Sequence, residues 1–133
     1  MFFCVAHTPS AQAYGTLECE SPSPSQREAG YDLQILDTDG MAASESACHD
    51  LVQEGIPGAG YAPVYGAFPT GSACGAAAAL LMLKQRCVFP NPVPDNPRGL
   101  RLAEVSAPAP RRIRCQKTDC TGQAAGLTLQ AIA

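Results

Sequence analysis

Cys74 is the residue best placed to do chemistry. It sits in Gly71-Ser72-Ala73-Cys74-Gly75, where a run of small residues opens a continuously apolar stretch that ends in Leu80-Leu81-Met82-Leu83-Lys84. A cysteine at a helix start has its thiolate favoured by the positive end of the helix dipole, which is what a nucleophile needs. A nucleophile also needs a base, and the neighbouring sequence supplies none. The same small residues could cradle an anion at a helix N-terminus, but the Lys of a phosphate-binding loop is missing. The second candidate is the acidic group Asp37, Asp39 and Glu45. Their spacing does not match a calcium loop, and capping with dipole compensation explains them more simply.

The two histidines add little. His49 follows Ala47-Cys48 on a helical pattern, beside Asp50 on its polar side, and reads as a solvated residue. His7 stands in a polar segment without a pattern around it. The seven cysteines contain no Cys-x-x-Cys, and Cys115 and Cys120 form one pair with no histidine near them, so no zinc site is read. An odd number leaves one cysteine over in any complete disulfide framework. Cys48, Cys74 and Cys87 lie inside apolar patterns, as free thiols do, which favours a reducing cytoplasm. The opening Met1-Phe2-Phe3-Cys4-Val5-Ala6 has no positive leading region and too short an apolar run for a signal peptide.

The elements that must carry these residues follow from patterning. With 133 residues, 46 % hydrophobic and 16 % charged, the chain suits one domain, 1–133, with a packed core. The net charge of −3 and the lack of a basic stripe argue against nucleic acid as a partner. No apolar run has the length of a membrane span. Phe2 to Ala6 and Thr16 to Glu20 read as short strands. Tyr31-Asp32-Leu33-Gln34-Ile35-Leu36 alternates, as a strand with one buried face does, and Asp37-Thr38-Asp39-Gly40 reads as a turn. A helix is expected from about Ser44 to Glu54, with Gly55 after its end. Ile56 to Gly60 reads as a loop and Ala62-Pro63-Val64-Tyr65 as a short strand.

The stretch from Gly71 to Lys84 is rich in Ala and Leu, the best helix formers. Ser72 suits its N-cap, and Lys84 and Arg86 suit the negative end of its dipole. A helix apolar all round is expected to be the buried, central one. From about 88 to 110 the density of proline excludes a regular helix and leaves an extended crossing with one short strand, Gly99 to Val105. Arg111 to Lys117 and Gly126 to Ile132 close the reading as a hairpin. Strands alternating with helices predict an α/β fold with a mixed five-stranded sheet, two main helices and a C-terminal hairpin.

Taken in order, these segments resemble the C-terminal half of a beta-ketoacyl synthase, a condensing enzyme of thiolase-like fold. Tyr31 to Gly40, followed by Glu45, is similar to the family's strand Asp-Tyr-Val-Asn-Ala-His-Gly-Thr-Gly-Thr. Gly71 to Ala77 is similar to Gly-His-x-x-Gly-Ala-Ala at the start of its second conserved helix. Leu80 to Pro90 is similar to Leu-x-Leu-x-x-Gly-x-Ile-Pro-Pro, and Asp119 to Leu127 to the turn before the last strand.

The resemblance implies that the two family histidines fall at Asp37 (or a neighbour) and Ser72, that the family lysine falls at about Ala67, and that the gating phenylalanines fall near Thr118 and Cys120. The family's nucleophilic cysteine belongs to its other half, which the resemblance does not reach. An ionised Asp has no hydrogen to donate to a developing oxyanion. The resemblance therefore implies a degenerate member, closest in character to a chain-length factor of fatty-acid or polyketide synthesis. No cofactor and no metal are implied. The implied partners are a second copy or a ketosynthase-type protein, with Ala76 to Leu83 at the contact, and an acyl carrier protein. Two other readings stand beside it: a thiol-dependent acyltransferase or acyl carrier using Cys74, and a structural α/β interaction domain.

Overall fold

In the computed structural model, residues 13–20, 30–38, 51–66, 70–92, 95–119, 121 and 123–132 are described. Five strands form one sheet: β1 Thr16–Glu20, β2 Leu33–Thr38, β3 Gly58–Ala59, β4 Arg112–Thr118 and β5 Ala124–Gln130. Their order is β1-β5-β4-β2-β3. β3, β2 and β4 run parallel, and β4, β5 and β1 are antiparallel neighbours, so the sheet is mixed and the fold α/β, as the patterning predicts. Among the described residues two helices lie between β3 and β4: α1 Ala62–Tyr65 and α2 Gly71–Gln85.

The core is the layer between α2 and one sheet face. Registers Leu33↔Ile113, Ile35↔Cys115, Ile113↔Leu129 and Cys115↔Leu127 align the apolar positions of β2, β4 and β5 on that face. Leu33, Ile35, Ile113 and Leu129 are fully buried there against Ala79, Met82 and Leu83 of α2. Each such side chain stabilises the fold by roughly 1.5–3 kcal/mol through burial. The helix presents a stripe of small residues, Gly71, Gly75 and Ala79, spaced four apart, and these let it lie close to β2. A Cβ on Gly75 would meet Ile35 Cγ2 at 3.4 Å.

Several expectations need correction. Ala62–Tyr65 is a helical turn, not a strand: Pro63 occupies its start, where a missing N–H costs nothing, and the Gly66 amide closes it onto the Ala62 carbonyl at 2.6 Å. Gly99 to Val105 is not a strand. Only Leu102 bridges, beside Gly58, held by Gly58 N–H to Arg101 O at 2.7 Å and Ala103 N–H to Gly58 O at 2.8 Å. The chain then turns away at Glu104–Ala107. The expected loop Ile56 to Gly60 contains β3. Asp37 and Thr38 continue β2 rather than turning.

The N-cap of α2 is Thr70, not Ser72, and it makes no side-chain capping bond. The helix is buried on one side only; Ala73 is exposed and Ala77 and Leu81 are half-buried. Finally, β2 and β4 are covered on both faces. Gln34, on the face away from α2, is fully buried because its amide donates to Gln53 O (3.1 Å) and Ile56 O (2.9 Å) and accepts from Gln53 N (3.1 Å). A polar side chain satisfied by a returning backbone does not need water. The expected strand Phe2 to Ala6 and most of the helix Ser44 to Glu54 lie outside the described residues.

Candidate functional site

In parallel α/β sheets, chemistry gathers at the carboxyl ends of the strands. Here those ends belong to β2 and β4, and the last turns of both carry charge. Asp37 and Lys117 are register partners across the parallel pair. Their side chains alternate onto the α2 face with Ile35 and Cys115. Lys117 Nζ donates to Asp37 Oδ2 at 2.8 Å, with the two side chains 16 % and 3 % exposed. The pair is therefore closed from solvent.

The start of α2 comes down on this pair. A Cβ added at Gly71 would lie 3.1 Å from Asp37 Oδ2 and 3.0 Å from Tyr65 Cε2. Only glycine leaves room for the carboxylate and the ring together. The positive end of the helix dipole complements the Asp37 charge. Its second oxygen, Oδ1, is buried and accepts no hydrogen bond among the described residues.

The surrounding groups are held protonated. Burial pushes the Cys115 thiol up to about 12, with the Asp37 charge adding to it. The Tyr65 phenol is raised well above its ordinary value, first by burial, then by Asp37, Cys74 and Cys115. A buried thiol of this kind is inert as a nucleophile.

The structure brings one sequence-derived position, Asp37, to the helix start that carries another, Ser72. Asp37 lies against Gly71, one residue before Ser72, although the two are remote in sequence. Cys74 lies one turn further along α2, half-buried, and near enough to Tyr65 to act on its ionisation. Among the described residues no histidine accompanies Cys74, and Asp37 is engaged by Lys117. Asp39, Glu45, His7, His49, Ala67 and Cys120 lie outside the described residues. Cys19, Cys74, Cys87 and Cys115 are free thiols. Among the described residues, no group of three or more His, Cys, Asp and Glu side chains could hold a metal ion. No helix among them is long and apolar enough to cross a membrane.

Lys117 and Tyr65 were not singled out by sequence. Lys117 sits 80 positions from its partner, and nothing near it in the chain distinguishes it from a solvated lysine. The available signal was indirect: it occupies a position whose alternates, Ile113 and Cys115, point into the core.

No family model, no curated protein and no solved structure matches the chain.

Proposed function

We propose that the chain is a non-catalytic, ketosynthase-like α/β protein of chain-length-factor character, associated with fatty-acid or polyketide synthesis. The observation that carries this reading is the ion pair at the strand ends. The resemblance aligns the family histidines with Asp37 and Ser72, and in the fold the Asp37 carboxylate lies at the helix start that holds Ser72. A site that must donate hydrogen bonds to an oxyanion holds instead a buried carboxylate paired through one oxygen with lysine. With acid and base neutralising each other out of solvent, this end of the sheet is a structural plug rather than a proton-transfer site.

Such a protein acts through association. The side of α2 away from the sheet shows Ala73, Ala77 and Leu81, while Ala78 packs against the core. A self-complementary contact of two copies, or a contact with a ketosynthase-type partner, would use that outer side. Ala77→Glu is therefore the cleaner test than a change at Ala78, because it places a charge at the contact without disturbing the core. Light scattering at micromolar concentration should report a dimer for the natural chain, or a complex with a ketosynthase-type protein, and a monomer for A77E. The isolated chain should neither take up acyl groups from acyl carrier protein nor decarboxylate a malonyl thioester. Turnover in either assay, or a monomer both alone and in the mixture, sinks the reading.

The thiol-enzyme alternative is separable by one measurement. Alkylation with iodoacetamide should label exposed Cys19 ahead of half-buried Cys74. Preferential labelling of Cys74, with an acyl adduct on it, would move the assignment to a thiol-dependent acyltransferase or carrier.

A further inference from the structure

The far end of α2 carries a second constellation, independent of the reading just given. A groove of about 680 Å³ is lined by Ala13, Tyr14, the α2 end (Leu83, Lys84, Arg86), the approach to β4 (Ala109, Pro110, Arg111) and the exit of β5 (Gln130, Ala131, Ile132). That volume lies in the range of small-molecule sites. Its charge is one-sided: Lys84, Arg86 and Arg111 line it, and no lining residue is acidic. None of the three cations makes an ion pair with a described residue. The neighbouring carboxylate of Asp32 is turned to the backbone, accepting the amides of Arg111 (2.7 Å) and Arg112 (3.0 Å). The fractional negative charge at the end of α2 offsets only part of three full positive charges.

Two features give the cations their position. Lys84 Nζ stands 3.8 Å over the Tyr14 ring, which fixes the ammonium at the rim. Arg86 is the only described non-glycine residue with positive φ; at φ 54° and ψ 44° it holds the left-handed conformation that ends helices, a place glycine normally takes. An arginine there is a conformational cost, and local strain of this kind collects at binding sites. Apart from Gln130 and the Tyr14 hydroxyl the rest of the lining is apolar, Leu83, Pro110 and Ile132 included.

We infer that this groove binds an amphipathic organic anion, its carboxylate or phosphate head held by Lys84, Arg86 and Arg111 and its short hydrocarbon body laid on Leu83, Pro110 and Ile132. The head group is met by charge-assisted hydrogen bonds, strongest with the two guanidinium forks. The residues that precede Ala13, Met1 to Gln12, contain no carboxylate, so their own charge does not answer these cations.

The probes are octanoate, octyl phosphate, inorganic phosphate, octanol and octylammonium, titrated calorimetrically into the full chain. Octanoate or octyl phosphate should bind, and the tighter of the two identifies the head group. Octanol, octylammonium and inorganic phosphate should each bind at least about tenfold more weakly, a factor equal to about 1.4 kcal/mol. The decisive variant is Arg86→Gly. It relieves the left-handed strain, so the melting temperature should hold or rise, while affinity for the anion falls about tenfold or more. Arg111→Gln should weaken binding similarly. Equal affinity of R86G and the natural chain overturns the inference. So does octanol or octylammonium binding as tightly as octanoate, or no binding by either amphipathic anion.

Discussion

The two ends of α2 handle charge in opposite ways. At the Gly71 end, a carboxylate and an ammonium are drawn out of water and spent on each other, beneath a helix start with no Cβ in the way. At the Gln85 end, three cations face a groove and no acid among the described residues answers them. The contrast separates cohesion from recognition within one helix. Charge at the first end contributes to the fold and has little left for a ligand. Charge at the second end contributes little to the fold and is available for a ligand.

The largest effect should come from breaking the closed end. Lys117→Met leaves the Asp37 carboxylate buried without its counter-ion, at a cost of about 3–5 kcal/mol. Urea denaturation measures it. Adding Asp37→Leu to the same chain should recover most of the loss, since a well-packed apolar pair commonly does as well as a buried ion pair. If the double variant is no better than the single, the pair is not what Lys117 supplies. Next come the glycines of the helix stripe. Gly71→Ala places a methyl 3.0 Å from Tyr65 Cε2 and 3.1 Å from Asp37 Oδ2 and should cost about 1–3 kcal/mol. Gly75→Ala meets its nearest neighbour at 3.4 Å and should be neutral or stabilising, by up to about 1 kcal/mol from helix propensity. Similar losses at both positions would show that closeness to the ion pair is not special.

The same end should respond to alkali. Cys115 keeps its proton up to about 12 in the folded chain, against an ordinary 9.0. Between those values the unfolded chain releases a proton that the folded one retains. Stability is therefore intact below about pH 9 and falls above it, by roughly 1.4 kcal/mol per pH unit from this thiol. The Tyr61 phenol, pushed up to about 12 by burial and by Cys87, adds a second such loss above its ordinary 10.0. Urea midpoints from pH 7 to 11 should show the decline, and Cys115→Ala should delay its onset toward pH 10. A flat profile in the natural chain contradicts the burial of both groups. The smallest effect belongs to the open end: Lys84→Met removes an exposed cation over an aromatic ring, and the free energy of unfolding should change by less than about 1 kcal/mol. A larger loss would make that end part of the fold's support.

Legibility in the sequence followed the range of the interactions. The alternation of Leu33 and Ile35 with Gln34 belongs to one strand and reads directly, and so does the Ala/Leu helix, whereas Asp37 and Thr38 read as a turn and continue the strand. What failed was short or distant. Gly58–Ala59 is a two-residue strand with no pattern to carry it. Ala62–Tyr65 has β-forming residues, but the chain around Pro63 closes a helical turn, and tertiary position overrode propensity. Gln34 reads as a solvent-facing residue and is buried because the backbone near Gln53 and Ile56 returns to its amide. Asp37 drew notice for its place at a strand end, but only the fold supplies Lys117. The cations of the groove are split between the end of α2 and Arg111, so their shared face is invisible along the chain.

The strand order has a consequence for how the molecule comes into being. Among the described residues β1 has one partner, β5: Thr16 pairs with Gln130, Leu17 with Leu129. β2 pairs with β3 on one side and on the other waits for β4, through Gln34 and Arg114. On a ribosome, which delivers residues in order, the first strand emerges more than a hundred positions ahead of its mate and stays an open edge meanwhile. Among the described residues the β4–β5 hairpin, with its turn tied by Asp119 to Thr121 and Gln123, is the most local of the sheet's pairings, followed by β2 with β3. The last-made hairpin then serves as the template on which β1, and β2 with β3, are collected. Such an order makes for slow closure. It also makes the early edge strand the part of the nascent chain most in need of protection from its neighbours.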